Sequence, residues 1–600
     1  MKSDETISSL PLQRGPFLLN QRTLTITMLS IGVAACAAFV AQALIRIIGL
    51  ITNLSFYGRW STAFVSPADH HLGAWVIVVP IIGGLLVGIM ARYGSMGIRG
   101  HGIPEAMVQI LTNESRVPPI LTLLKPLSAA ISIGTGGPFG AEGPIIATGG
   151  ALGSLIGQLL PTTADERKTL LAAGAAAGMA ATFGSPVSAV LLAIELLLFE
   201  YRPRSFLPVA LASTTATGIR MAFSSATPIF AMPHLTAPGS DALASYVFIG
   251  AVIGLFSVLV TRIIYDVEDA FEKLPIHWMW WPAIGAVAVG VVGYFYPRTF
   301  GVGYSNIDDI LSGHIWGRAL LMLCLMKFIS WAVSLGSGTS GGTLAPIFTI
   351  GGGLGALFGA GFAHYAPHLG VDPRMAALVG MSALFAGASR ALLASVVFAF
   401  ETTMQPLGLL PLLGGCSAAY LISGFFMRNT IMTEKIVRRG IYVPMDYDVD
   451  ILMRLRVSDI FTQKPLTLKG EQPLSAVREW LLKDGAKHRH QGYPVMDENN
   501  DLLGVVTHRD LMDLTTSPQN TLRQIIKRPP VTIHPQNTLR EAADMMVQHE
   551  IGRLPVMDPH HARKVIGILT RSDLLRAHKR RLHEAHTTAK SLNLIPRTKK

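Results

Sequence analysis

Hydrophobic positions fall in long, nearly unbroken runs from about residue 25 to about residue 427, and in short alternating runs after that. The runs Leu24 to Ile51, Trp75 to Met90, Tyr246 to Val260 and Pro282 to Gly293 lack the polar stripe of a surface helix. A helix apolar on every side is stable only against lipid or other apolar helices, which predicts bilayer spans. Several runs fall short of the ~20 residues of a straight crossing, which predicts tilted or incomplete helices. Leu24 to Ile51 is longer than a signal-peptide core and has no small-residue cleavage pattern, so it reads as a span. Beyond Arg428 the pattern changes to alternating strands and to helices of period ~3.6 over Leu474 to Leu482 and Leu539 to Val547. A separate globular domain is predicted there.

Composition sharpens this picture. The chain has 600 residues, 50% hydrophobic and 15% charged, which argues against an ordinary soluble enzyme. No enzymatic chemistry is expected. The formal net charge of +12 is spread over loops and concentrated only around Lys579 to Arg581 and Arg597 to Lys600. Nucleic acid is therefore not an expected partner, and the lipid bilayer is. Lys2, Arg14 and Arg22 precede the first span and a basic domain follows the last, so both termini are expected in the cytoplasm, with an even number of spans in the cell (inner) membrane. Cys36, Cys324 and Cys416 lie in apolar segments at no metal or disulfide spacing.

The apolar region also matches itself. Gly134 to Pro144 (GTGGPFGAEGP) overlies Gly336 to Pro346 (GSGTSGGTLAP) at an offset of 202, and the same offset pairs Lys125 with Lys327, Gly153 with Gly355 and Phe183 with Phe385. Two halves with matching Gly-rich interruptions predict an inverted-repeat transporter architecture with its binding site at the interruptions. Each loop ends in a proline suited to the first turn of a helix, so each predicts a helix N-terminus inside the membrane. Free main-chain N–H groups there attract an anion and replace part of its hydration shell without any formal positive charge. The glycines of 149–157 and 351–359, at small-xxx-small spacing, read instead as helix-packing positions.

These two loops, with GHGIPE at Gly100 to Glu105, resemble the three ordered signature segments of the CLC chloride channels and chloride/proton antiporters. The resemblance covers about residues 25 to 440. It implies a mainly α fold of two inverted-topology repeats (about 25–235 and 245–438, within a membrane domain of 25–438 after a cytoplasmic stretch of 1–24), a homodimer with one pore per subunit, and chloride as the transported ligand. Carried over by position, it implies Glu142 as the gating glutamate. It also implies an anion path lined by His101, Gly102, Ile103, Ala141, Glu142, Gly143, Thr343, Leu344 and Ala345. A lone ionisable residue beside a break in an apolar region is a functional candidate on its own chemistry.

The sequence departs from the family at several of these positions. His101 replaces the family's serine, adding a group whose charge responds to pH near neutrality. Ala141 replaces a basic residue, Leu344 a phenylalanine, and Met432 falls near the inner tyrosine. In the antiporters a second glutamate carries protons. Its position here is Leu196, after Glu195, in FGSPVSAVLLAIELL, which favours a gated channel. A chloride/proton antiporter, a carrier of nitrate or fluoride, a nutrient or osmolyte transporter, and a sensor whose membrane part only anchors it remain the alternatives.

After a linker (439–456), residues 457–582 contain a second repeat: Pro465 to Leu468 matches Pro530 to Ile533, Pro494 to Asp497 matches Pro555 to Asp558, and GVVTHRD matches GILTRSD. This resembles a tandem CBS pair of α/β fold, followed by a basic tail (583–600). The resemblance implies an adenine nucleotide such as ATP, with Thr507, Asp510, Thr570 and Asp573 as candidate contacts and Asp573 the stronger aspartate. The same Thr and Asp pairs are equally suited to capping a helix. No cofactor is required for transport. His488 and His490 have no ligand-type neighbours, so no metal is expected.

Overall fold

A computed structural model describes residues 21–224, 227–444, 452, 455–483, 490–559, 561 and 563–577. Lys2, Arg14, His488, most of the 445–454 stretch and the basic tail lie outside the described residues. The chain divides into two compact units between Tyr447 and Asp448.

Among its described residues, the first unit consists of two successive sets of eight helices, followed by one short one. The first set is α1 (Gln21–Thr52), α2 (Val78–Tyr93), α3 (Ile103–Thr112), α4 (Leu121–Gly134), α5 (Glu142–Leu159), α6 (Ala164–Phe183), α7 (Pro186–Ala193) and α8 (Pro203–Phe223). The second is α9 (Ser240–Glu272), α10 (Trp281–Phe295), α11 (Tyr304–Leu311), α12 (Gly317–Gly336), α13 (Leu344–Tyr365), α14 (Pro373–Ser389), α15 (Leu392–Thr403) and α16 (Leu409–Phe426). Each helix of the first set has its counterpart eight helices later. The pseudo-symmetry extends to packing, since α2 lies on α10 and α7 on α15, while α5–α6 is mirrored by α13–α14.

Helix lengths explain the short apolar runs. At ~1.5 Å per residue α1 is about 48 Å long, well beyond a hydrocarbon core of ~30 Å, so it crosses obliquely. In contrast α3, α7, α11 and α15 have 8–12 residues and stop part-way. Eight described stretches are long and apolar enough to cross a membrane, and the chain is an integral multi-pass membrane protein. Glycine sets how closely α5 meets α6: a Cβ on Gly149 would lie 2.2 Å from the carbonyl oxygen of Gly174, and one on Gly153 2.0 Å from that of Leu170. Gly351 and Gly355 repeat these approaches to Gly380 and Ala376.

Among its described residues the second unit carries two three-stranded sheets, β1 (Thr462–Gln463) with β6 (Val565–Thr570) and β5 (Arg553–Met557), and β2 (Leu468–Lys469) with β3 (Gly492–Met496) and β4 (Leu502–Thr507). The β3–β4 and β5–β6 hairpins are antiparallel, and each slips register just before Met496 or Met557. Each sheet buries its apolar face under one amphipathic helix, Leu474–Lys483 or Leu539–Gln548. The sequence repeat is thus a structural repeat of α/β type.

Candidate functional site

The two Gly-rich loops meet. Gly140 donates its N–H to the carbonyl of Gly342 at 3.1 Å, and Gly342 returns one to Gly140 at 2.9 Å. The GHGIPE segment joins them, since Gly100 forms a parallel bridge with Ser340. Only glycine permits this approach. Gly102 has φ +96°, and a Cβ there would stand 2.4 Å from the Gly143 oxygen, while one on Gly143 would stand 2.0 Å from the His101 oxygen.

The start of α3, α5 and α13 is therefore gathered at one place. In each a proline in the first turn removes one N–H and fixes the φ of a starting helix. The amides of Ala141, Glu142 and Gly143, and those of Thr343, Leu344 and Ala345, bond to no main-chain carbonyl among the described residues. At α3 one amide is taken, because Gly102 donates to Oε2 of Glu105 at 2.7 Å. Six amides from two helix N-termini, none spent on a main-chain carbonyl among the described residues, make an anion-attracting surface of partial charges.

Glu142 sits in that surface with no exposed area. Its Oε1 accepts the hydroxyl of Tyr304 at 2.8 Å, its Oε2 has no hydrogen-bond partner among the described residues, and the Glu142 and Ala345 amides face the carboxylate. Tyr304 was not among the residues expected from the sequence. The signal lay in a shift of the repeat by one: GHGIPE at 100–105 matches GVGYSN at 301–306, with left-handed glycines at Gly100, Gly102, Gly301 and Gly303. The chain thus places a tyrosine where the first half has Ile103.

Two buried lysines set the approach to these helix starts. Lys125 donates to the carbonyls of Ile98 and Gly100 at 2.8 and 2.9 Å, and Lys327 to those of Thr299 and Gly301, both at 2.9 Å. Each ammonium thus binds the loop before its own half's short helix, α3 or α11. Their match at offset 202 is visible in the sequence, but the job they share is not.

His101 is buried, its Nδ1 unpartnered among the described residues. Ile103, Thr343 and Leu344 are enclosed at the helix starts. Met432 is fully buried in the turn before a short helix, α17 (Glu434–Arg438), that packs on α3. Leu196 lies in a π-helical turn of 194–198 that also packs on α3. Glu195 gives both carboxylate oxygens to the amides of Leu393 and Ala394 at 3.0 Å, and Glu401 likewise accepts from Val187 and Ser188 at 2.9 and 2.8 Å. Each glutamate thus caps the N-terminus of the helix opposite. Glu200 is held by Ser205 at 2.6 Å and pairs with Lys168 at 3.4 Å.

In the second unit, Thr507 and Asp510 form a reciprocal helix cap, with Thr507 Oγ1 donating to Asp510 Oδ2 at 2.5 Å. Thr570 does the same to Asp573 Oδ2 at 2.7 Å. Thr507 lines a cleft of about 130 Å³ with Arg528, Gly552 and Arg553. Asp510 opens its other oxygen to Lys527 at 2.7 Å. Burial alone would push its carboxyl up, but Lys527 and Thr507 together hold it below the ordinary value. Asp573 is enclosed, 1% exposed, and neither it nor Thr570 lines that cleft. His490 is the one described member of the histidine pair, and no metal-type cluster occurs among the described residues.

Comparison with known proteins agrees with this architecture. A family model described as voltage gated chloride channel matches residues 83–424, and the CBS domain model matches 457–516 and 522–580. A putative chloride channel protein ClcB-like from Ralstonia nicotianae is 28% identical over 349 residues, covering 58% of this chain and 81% of that one. The H(+)/Cl(-) exchange transporter ClcA of Vibrio vulnificus is 29% identical over 395 residues, covering 62% and 83%. Among solved structures, a slow cyanobacterial Cl-/H+ antiporter matches with a TM-score of 0.61 at 21% identity, over 70% of this chain and 98% of its own.

Proposed function

This chain belongs to the voltage gated chloride channel family, and from that premise we propose that it moves chloride across the membrane in exchange for protons, with Glu142 as the group that both closes the anion path and carries the proton. Chloride transport is the activity of the family. The observation that carries the finer reading is a carboxylate with no exposure, seated among helix-start amides of both halves that bond no main-chain carbonyl among the described residues. As an anion it occupies the position a chloride would take. Once protonated it loses its attraction to the amides, and an anion takes its place. One carboxyl thus ties the two ions to a single position.

In this reading Ala141, Gly143, Thr343, Leu344 and Ala345 receive the anion at one end, and His101, Gly102 and Ile103 at the other, flanked by Met432. The apolar Leu196 by itself favours a gated channel. Relatives that are H(+)/Cl(-) exchange transporters weigh more for exchange. Protons then reach Glu142 by a route that does not use position 196. The protein functions as a homodimer in the cell (inner) membrane with both termini in the cytoplasm, and its CBS pair binds an adenine nucleotide beside Thr507.

The test is purified protein in liposomes. A chloride gradient drives protons against their own gradient, and Glu142→Ala stops proton movement while chloride still flows. Chloride flow without protons in the parent makes it a channel, and no chloride flow in either protein ends the reading.

A further inference from the structure

A cavity of about 610 Å³ opens at the start of α3, lined by Arg99, Gly102, Glu268, Glu272, Lys435 and Arg439 among others. Lys435 and Arg439 come from α17 and its end, so the cavity belongs to the face from which the chain leaves the membrane unit toward residue 440. Gly102, the N-cap of α3, is thus reached from this face through a chamber far larger than a chloride ion.

Most of the charge in the chamber is engaged. Lys435 pairs with Glu268 at 2.9 Å, Lys125 is taken by two carbonyls, and Glu105 accepts the Gly102 amide. Two arginines of the chamber form no ion pair among the described residues, and of these Arg439 is exposed and Arg99 half-buried. The Arg99 side chain forms no hydrogen bond among the described residues, and its Nε is enclosed. Its guanidinium lies over the rings of Trp278 and Trp281, 5.1 and 5.5 Å from their centroids. On its other side it meets main chain: a Cβ on Gly338, itself at φ +78°, would stand 2.4 Å from Nη2 of Arg99. A pair of indole faces orients a guanidinium without neutralising it, and Glu268 and Glu272 attract it only from beyond ion-pair distance, so the cation keeps part of its field for an incoming anion. Arg99 also lies three residues before Gly102.

We propose that Arg99 is the docking cation for this pathway: an inorganic anion arriving through the chamber pairs with its guanidinium before moving to the start of α3 at Gly102 and Ile103. This rests on the anion-transport reading above. The side chain is a specificity-determining contact, and its charge rather than its shape does the work. Neutralising it lowers chloride affinity from this face about tenfold, as expected for a partly screened charge in a chamber of intermediate dielectric.

The experiment reads the sign of the charge. In a Cys36→Ser background, Arg99→Cys protein in liposomes is treated with a cationic or an anionic methanethiosulfonate reagent of equal size, with labelling followed by mass spectrometry. Chloride efflux falls on Arg99→Cys, recovers at least half-way with the cationic reagent, and falls further with the anionic one. Equal effects of the two reagents, or a cysteine that neither reaches, overturn the proposal. Should Arg99→Cys not fold, Arg99→Lys against Arg99→Gln gives the same contrast: the lysine variant keeps the half-saturating chloride concentration within about threefold and the glutamine variant raises it about tenfold. Parental affinity in Arg99→Gln is again fatal to the proposal. Absence of chloride flux in the parent would instead sink the transport reading itself.

Discussion

Tyr304 donates its hydroxyl to Oε1 of Glu142 across 2.8 Å, a bond between the second half of the membrane unit and the first. It is the one side-chain hydrogen bond to that carboxylate among the described residues, and a bond to a charged acceptor is worth ~1.5–3 kcal/mol. Tyr304→Phe therefore loosens the closed position of Glu142 without disturbing the ring packing on Phe183 and Phe230. Chloride efflux from liposomes should rise at least about fivefold, and protons moved per chloride should fall. Unchanged flux and coupling would show that the hydroxyl does not hold the gate.

Much of this site was legible in the sequence, for a physical reason. A helix that starts inside a membrane needs glycine for close main-chain approach and proline for its first turn, and those residues are few enough to align by eye. Hence the three segments and Glu142 were found, as was their pairing across 202 positions. Tyr304 was not, because its segment aligns only when the repeat is shifted by one residue, and Arg99 was not, because a side chain that reaches across a pseudo-symmetric interface leaves no mark on its own segment's pattern. Glu195 was ambiguous for a similar reason: its caps on Leu393 and Ala394 depend on which helix faces it. Neither Asp510 nor Asp573 lines the cleft beside Thr507, a matter of how the two repeats pack that the repeat pattern does not carry. Leu196 favours a gated channel while the relatives named exchange transporters favour exchange, because one apolar position is a local fact, whereas coupling depends on every proton route in the unit.

The paired lysines predict symmetric damage. Lys327→Met leaves the carbonyls of Thr299 and Gly301 without a donor, and Lys125→Met does so to Ile98 and Gly100. Each orphaned buried carbonyl costs roughly 1–3 kcal/mol. Both variants should lose several degrees of Tm in detergent by similar amounts. A variant as stable as the parent would mean that water replaces the ammonium.

Glu195 discriminates between two jobs. If its carboxylate serves only to cap the start of α15, Glu195→Gln retains one good acceptor and moves protons and chloride in the parental ratio, with a modest fall in Tm. The reciprocal cap predicts that Glu401→Gln behaves alike. Loss of proton movement confined to Glu195→Gln would instead make it the inner proton carrier that position 196 lacks.

In the second unit, a nucleotide that uses Asp510 must compete with Lys527. The carboxyl is held below its ordinary value, so near neutral pH it is ionised and its Oδ1 is occupied by that ammonium. Lys527 is exposed, and an exposed ion pair contributes little, so the competition is weak. Lys527→Met should therefore tighten ATP binding to the full-length protein about two- to fivefold. Thr507→Val, which removes a hydroxyl that lines the cleft, should abolish it, while Asp573→Asn leaves it within about twofold, the enclosed side chain being a helix cap. Titration calorimetry on the three variants checks the order. Loss of binding in Asp573→Asn with retention in Thr507→Val would move the nucleotide to the second repeat.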